Sequence, residues 1–282
     1  MLKKFIKTHN AGNDFLLFDL TNVKEEIKFD IEWIKKICHR NFGGGGDGIL
    51  LVLKEDDKYR MRIYNNDGSL AAMCGNGLSC VARFLVEKKY VEEGSFDILT
   101  ESGIRTPHVV TNEDGKLDVC IKMGIPELEK EKIPVILDNK KDKIINEKIK
   151  VLDRDFFITT VSVGNPHCVI FVEEKIDLTK YGAYLETHPM FPDRINVEFV
   201  QIINENEIRI DVWERGAGPT LACGTGTCAV AVAGVLNKKF GKNDVLAHLP
   251  GGDLTVKYDE DGYVYLRCNP EFVYEAEICD EF

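Results

Sequence analysis

The stretch Met73-Cys74-Gly75-Asn76-Gly77-Leu78-Ser79-Cys80-Val81-Ala82 has a near-copy in Ala222-Cys223-Gly224-Thr225-Gly226-Thr227-Cys228-Ala229-Val230-Ala231. In each, a polar loop carrying two glycines runs into a segment that is apolar on one face. That pattern predicts a strand–turn–helix junction, with the leading cysteine at the helix N-terminus. Such a terminus offers backbone N–H groups that lack an intrahelical acceptor, together with the positive end of the helix dipole. It can hold a carboxylate and can lower the pKa of an adjacent thiol, from about 8.5 to roughly 7 or below.

The duplication extends outward from these loops. Gly12-Asn13-Asp14-Phe15-Leu16-Leu17 resembles Gly164-Asn165-Pro166-His167-Cys168-Val169-Ile170. Asn65, in Ile63-Tyr64-Asn65-Asn66, stands nine residues before Cys74, and Glu214, in Val212-Trp213-Glu214-Arg215, stands nine before Cys223. Landmarks repeated in one order predict two homologous halves. If the halves pack face to face, the two cysteine loops would meet in an interdomain cleft, where ligand sites are common.

A chain of 282 residues accommodates two domains of ordinary size. Its 44% hydrophobic and 29% charged residues are those of a globular protein, and no apolar run reaches the length of a membrane span. The N-terminal Met1-Leu2-Lys3-Lys4-Phe5-Ile6 lacks the apolar core of a secretory signal. Nine scattered cysteines fit reduced thiols, so a cytoplasmic location is expected. A net charge of −11 argues against nucleic acid and against anionic membrane surfaces as partners. A homodimer is compatible with these features and is not specified by them.

Strands are expected on both sides of a turn at Asn10-Ala11-Gly12-Asn13, around 49–53 and 60–64, and then at 96–100, 105–111 and 117–123. Helices are expected over 31–40 and from Gly75 to about Tyr90. Lysine and glutamate dominate 127–150, which reads as a solvated connection with short strands. The second half repeats the programme, with strands at 159–163, 168–172, 197–203 and 208–213, a helix from Gly224 to about Phe240, and a closing hairpin over Glu260-Asp261-Gly262. The fold class is therefore α+β: two pseudo-symmetric domains, each a curved, mainly antiparallel β-sheet wrapped around a central α-helix. The expected boundaries are 1–122 plus 271–282 for the domain carrying Cys74, and 123–270 for the domain carrying Cys223.

Most free cysteines are small hydrophobes in a core. Cys80 and Cys228 fit that role, each several residues inside a helix. Cys74 and Cys223 differ, because each opens a helix ahead of a Gly-polar-Gly turn that a packing cysteine does not need. The run Gly43-Gly44-Gly45-Gly46 lacks the Gly-Lys-Ser/Thr of a phosphate loop and reads as a turn or flexible rim. The cysteine spacings do not give a zinc site, and no lysine suggests a Schiff base to pyridoxal phosphate. No cofactor and no metal is expected, so the chemistry falls to side chains. Two matched thiols and a carboxylate site are the logic of a cofactor-independent amino-acid racemase, in which a thiolate removes the α-proton and a thiol returns one to the opposite face. The N–H groups of Gly75, Asn76, Gly224 and Thr225 would hold the carboxylate onto which the carbanion's charge spreads. His167 is a further candidate.

Together with His9-Asn10-Ala11-Gly12-Asn13-Asp14-Phe15, Asn65-Asn66-Asp67-Gly68-Ser69, Gly164-Asn165-Pro166-His167-Cys168 and Glu214-Arg215-Gly216-Ala217-Gly218, the two cysteine segments resemble the signatures of the diaminopimelate epimerase family over essentially the whole chain. The resemblance implies a cofactor-independent isomerase that interconverts LL- and meso-diaminopimelate on the route to lysine and peptidoglycan. It implies Cys74 and Cys223 as the catalytic pair, and two domains closing over the substrate with the last strand returning to the first. It also implies that Asn13, Asn65, Asn165, Asn196, Glu214 and Arg215 bind the unreactive amino-acid end, for which the Arg215 fork suits a carboxylate and Glu214 an ammonium. The chain departs from the family pattern at Ser79, where arginine is usual, at Pro219, and at Cys268-Asn269-Pro270. A same-fold racemase of another amino acid, such as histidine, and a non-catalytic amino-acid-binding protein remain open on the sequence.

Overall fold

The computed structural model describes residues 4–23, 30–137 and 141–279. The chain divides into two compact units, Met1–Ile121 with Cys268–Phe282, and Lys122–Arg267.

The two units share one pairing scheme. In the first, the strands lie in the order Glu271–Glu277, Lys4–Asn10, Asn13–Leu20, Gly48–Glu55, Lys58–Asn65, Ile98–Thr100, Gly103–Arg105. From Lys4–Asn10 onward the pairings alternate antiparallel, parallel, antiparallel, parallel, antiparallel. In the second, Arg154–Ser162, Pro166–Phe171, Asn196–Asn204, Glu207–Glu214, Val245–Leu249 and Gly252–Tyr258 alternate in the same way. Each parallel step needs a crossover, which in all four cases carries a helix. These are α1 (Ile31–Cys38), α2 (Gly75–Glu87), α3 (Leu178–Glu186) and α4 (Gly224–Leu236).

Helices α2 and α4 are the central ones. Leu78, Cys80, Val81, Phe84 and Leu85 of α2 are wholly buried, as are Cys228, Ala229, Val230 and Val232 of α4. Each such large apolar side chain contributes on the order of 1.5–3 kcal/mol. α4 packs at once on Arg154–Ser162 and Gly252–Tyr258, strands far apart in sheet order, so the sheet curves around it. α2 packs on Lys4–Asn10, Asn13–Leu20, Gly48–Glu55 and Lys58–Asn65 of the first unit's sheet, and also on His108–Thr111.

Both central helices stop earlier than their apolar pattern suggests, and by the same device. Lys89 and Lys238 adopt left-handed backbone at φ 58° and 55°. Their N–H groups bond to Val86 O and Val235 O, and the next residues, Tyr90 and Lys239, bond back to Leu85 O and Gly234 O. This is the Schellman closure, with lysine where glycine is usual.

Other expectations need correcting. The sequence pattern predicts no helix between the strands at 168–172 and 197–203, yet α3 forms there, with Asp177 capping it by accepting from Lys180 N–H. α1 ends at Cys38 rather than Arg40. The expected strand at 105–111 breaks in two around Pro107, which has no N–H for the ladder. The segment 127–150 is not merely solvated: Ile133, Val135, Ile144 and Ile149 enter the core of the second unit with Phe156, Leu185 and Phe199. Ile133, Val135, Ile144 and Ile149 bury, whereas Ile136 and the charged Asp142, Lys143 and Lys148 stay exposed. Residues 138–140 of that segment lie outside the described residues. The tetraglycine run is no loose rim. Gly43 through Gly46 donate to His39 O, Ile37 O and Cys38 O, wrapping the end of α1, and a Cβ on Gly43 would stand 2.2 Å from Lys36 O.

Candidate active site

In the first unit, Cys74 is the N-cap of α2, extended at φ −143° and ψ 123°. The first intrahelical bond is Leu78 N–H to Cys74 O, so the amides of Gly75 and Asn76 lie ahead of it with no acceptor inside the helix. The thiol of Cys74 donates toward Asn13 Oδ1 at 3.7 Å, an oxygen that also accepts from Asn76 Nδ2 at 3.1 Å. Asn10 Nδ2 donates to Asn76 Oδ1 at 2.8 Å. On its other side, Asn13 Nδ2 donates to Asp47 Oδ2 at 2.8 Å. Asp47 and Asp14 are held in turn by Arg40, whose fork meets Asp14 at 2.8 and 3.0 Å and Asp47 at 2.7 Å. Burial disfavours the Asp14 carboxylate, but hydrogen bonds and charge from Arg40 and Lys7 outweigh it and hold its pKa at about 2. The amide of Asn13 is thereby fixed with its oxygen toward Cys74.

Asn65, the last residue of its strand, is exposed and donates from Nδ2 to Ser69 Oγ at 2.9 Å. It closes the turn leading to Leu70–Ala71 and Cys74.

In the second unit, Cys223 is the N-cap of α4, extended at φ −131° and ψ 109°. Gly226 N–H donates to its sulfur at 3.3 Å, and Thr225 Oγ1 lies 3.3 Å away. The amides of Gly224 and Thr225 precede the first intrahelical bond, Thr227 N–H to Cys223 O. Beside the thiol, Glu214 accepts from Thr220 Oγ1 at 2.7 Å. His167 is fully buried, with Nδ1 2.7 Å from Glu198 Oε1 and Nε2 3.0 Å from Asn165 Oδ1.

The expectation of a lowered thiol pKa fails at Cys223. Burial, then the nearby carboxylates of Glu214 and Glu198, push it up to about 12, against a smaller pull from the Thr225 hydroxyl and the Gly226 N–H. The helix terminus is there, but desolvation of the charged form is the larger effect. Burial also raises Glu214 from its ordinary value, with Glu198 adding and Thr220 and His167 opposing.

Asn196 occupies a different kind of place. It is buried, Nδ2 donates to Pro166 O at 2.7 Å and Oδ1 accepts from Arg215 N–H at 2.9 Å. Both ends of its amide thus clamp backbone beside Asn165 and Arg215. Arg215 itself is exposed, reaching Asp193 O with one guanidinium nitrogen at 3.1 Å.

Sequence reading passed over Asn10, Asp47 and Glu198. For Glu198 there was a signal: a carboxyl within the apolar run Asn196–Asn204, where burial is costly without purpose. Asp47 had none, because the partners of its side chain, Asn13, Asp14 and Arg40, come from two other segments. Among the described residues no three His, Cys, Asp or Glu side chains converge as a metal site, and no helix is long and apolar enough to cross a membrane.

The sequence profile of the family described as diaminopimelate epimerase matches residues 5–129 and 159–273. The diaminopimelate epimerase of Desulfitobacterium hafniense is 41% identical over 99% of both chains. That of Bacillus cereus is 43% identical over 97% of this chain and 98% of its own. Among solved structures, a phenazine biosynthesis protein of the PhzF family from Bacillus anthracis superposes over 99% of both chains with TM-score 0.69 at 16% identity. A hydroxyproline epimerase from Agrobacterium vitis, with trans-4-hydroxy-L-proline bound, covers 98% of this chain and 91% of its own with TM-score 0.62 at 13% identity. These two likenesses establish the α+β fold, whereas the relatives at above 40% identity reach further. With matching profile, near-complete coverage and a cysteine at the head of each central helix, the chain belongs to the diaminopimelate epimerase family.

Proposed function

We propose that the protein interconverts LL- and meso-diaminopimelate, with Cys74 and Cys223 as the acid–base pair at the α-carbon. The observation that carries this reading is the equivalence of the two thiols: each caps the central helix of its unit at the same point of a duplicated topology. In one direction a thiolate takes the α-proton, the C–H electron pair becomes the carbanion stabilised through the carboxylate, and the opposite thiol donates its own proton to the other face. The two cysteines then stand with exchanged protonation. Reversal runs the same steps with the roles swapped.

The amides of Gly75, Asn76, Gly224 and Thr225 supply preorganised donors for charge arriving on the carboxylate, each worth on the order of 3 kcal/mol in comparable sites. Asn13, Asn65, Asn165, Glu214 and Arg215 are assigned to the distal amino-acid group, with Asn196 supporting the backbone around them. Burial and the carboxylates of Glu214 and Glu198 favour the thiol form of Cys223, which suits the proton-donating role.

The test is proton exchange in D2O with reduced enzyme, on LL-diaminopimelate and on a panel of other L-amino acids including histidine. Loss of the α-proton signal with appearance of the meso isomer is expected for diaminopimelate alone. Exchange with another amino acid instead would reassign the substrate, and no exchange at all would favour a binding protein. Cys74→Ala and Cys223→Ala are each expected to lower epimerisation by at least ~100-fold.

A further inference from the structure

Glu198 is a buried carboxylate of the second unit that the chemistry above leaves without a task. It is completely buried, and among the described residues its Oε2 meets no hydrogen-bond donor. Its Oε1 faces His167 Nδ1 at 2.7 Å and lies so close to α4 that a Cβ on Gly226 would come within 2.6 Å of it. A carboxylate with an unsatisfied oxygen is a costly core residue. An apolar side chain would serve packing better.

The far side of His167 shows what the carboxylate can do. Nε2 stands 3.0 Å from Asn165 Oδ1, so each ring nitrogen faces an oxygen. An amide oxygen only accepts, so Nε2 must carry a hydrogen to make this bond. With Nε2 the donor, the link between Nδ1 and Glu198 needs a hydrogen of its own, on the ring or on the carboxyl. A residue that could neither accept from Nδ1 nor donate to it would leave the ring free to turn or to change tautomer. The Asn165 amide would then lose the partner that fixes which of its ends faces His167 and which faces a ligand.

We propose that Glu198 is a positioning residue for the reaction, acting through His167 to hold the Asn165 amide with its Oδ1 inward and its Nδ2 available as a donor to an anionic group of the substrate. The proposal rests on the reading of Asn165 as part of the substrate site. It assigns Glu198 no contact with substrate. It also accounts for Gly226, since any side chain there would displace the Glu198 carboxylate.

The experiment compares wild type with Glu198→Gln and Glu198→Leu. The 15N NMR signals of the His167 ring are recorded without substrate, and KM and kcat for LL-diaminopimelate are measured separately. In the wild type, Nε2 is expected to carry a hydrogen. In Glu198→Leu the ring signals should shift, and KM should rise at least tenfold with kcat changing less than about threefold. Glu198→Gln, which can still bond Nδ1, should restore most of the affinity. A wild-type ring with Nε2 bare overturns the proposal without any variant, even if Glu198→Leu fails to fold. An unchanged KM in folded Glu198→Leu overturns it as well. Should the wild type turn over no diaminopimelate, the functional reading falls first, while the ring signals still decide whether Glu198 governs His167.

Discussion

The thiol of Cys268 lies 3.0 Å from the hydroxyl of Ser79, both buried in the first unit although 189 residues apart. Ser79 Oγ donates to Gly75 O at 2.9 Å, one turn back in α2, which leaves its lone pairs for the Cys268 S–H. Two departures from the family pattern are therefore one contact. The neighbouring Asn269 is engaged too, donating to Leu117 O and Asp118 Oδ1, both at 3.1 Å.

Restoring the family's arginine at this position alone should fail. Ser79 has no exposed surface, and its partner is a buried thiol with no charge to offer a guanidinium. Ser79→Arg is expected to destabilise the protein by ~3 kcal/mol or more, read as a fall in thermal midpoint. A variant as stable as wild type would show that the helix has room the structure does not give it.

Cys223 should resist alkylation at neutral pH. With its pKa near 12, the reactive thiolate is scarce, and labelling by iodoacetamide should rise about tenfold per pH unit up to about pH 11. Removing a neighbouring charge with Glu214→Gln should speed the labelling of Cys223 at fixed pH, without substrate present. Mass spectrometry of the labelled peptide gives both rates. A plateau near pH 7 would mean that the helix terminus outweighs burial after all.

Acid should loosen the first unit through Asp14. Its carboxyl sits near 2 in the fold against an ordinary 3.8, because Arg40 and Lys7 favour the charged form more than burial opposes it. The folded value is the lower one, so this stability is fully present above about pH 4 and is lost as pH falls toward 2. It amounts to ~2 kcal/mol at neutral pH. Asp14→Asn should remove that much at pH 7 and flatten the dependence between pH 4 and 2 in denaturant titrations.

The glycines of the two cysteine loops should not be equivalent. Gly226→Ala places a Cβ 2.6 Å from Glu198 Oε1 and is expected to cost ~1–3 kcal/mol. At Gly75 a Cβ would meet nothing within 4 Å, so Gly75→Ala should leave the thermal midpoint within a few degrees of wild type. Equal effects at both sites would contradict the close packing of Glu198 on α4.

Much of the molecule was legible from its repeated loops. Cys74 and Cys223 as helix caps, the two central helices, and most strands follow from local pattern, since periodicity and glycine placement are local properties. The repeat could have yielded α3 as well: α1 occupies the same crossover in the first half, and a parallel pair cannot be joined without one. The Cys223 thiol marks where local reading stops. A helix N-terminus is visible in sequence, but the burial and the two carboxylates that outweigh it arrive from other strands. The same holds for Glu198 beside His167, for Asp47 holding Asn13, and for Cys268 on Ser79. The sequence by itself determined which backbone positions open the helices and which side chains stand there. Tertiary structure alone decided the dielectric and the charges around those side chains, because desolvation and Coulomb effects depend on distance in space and not along the chain.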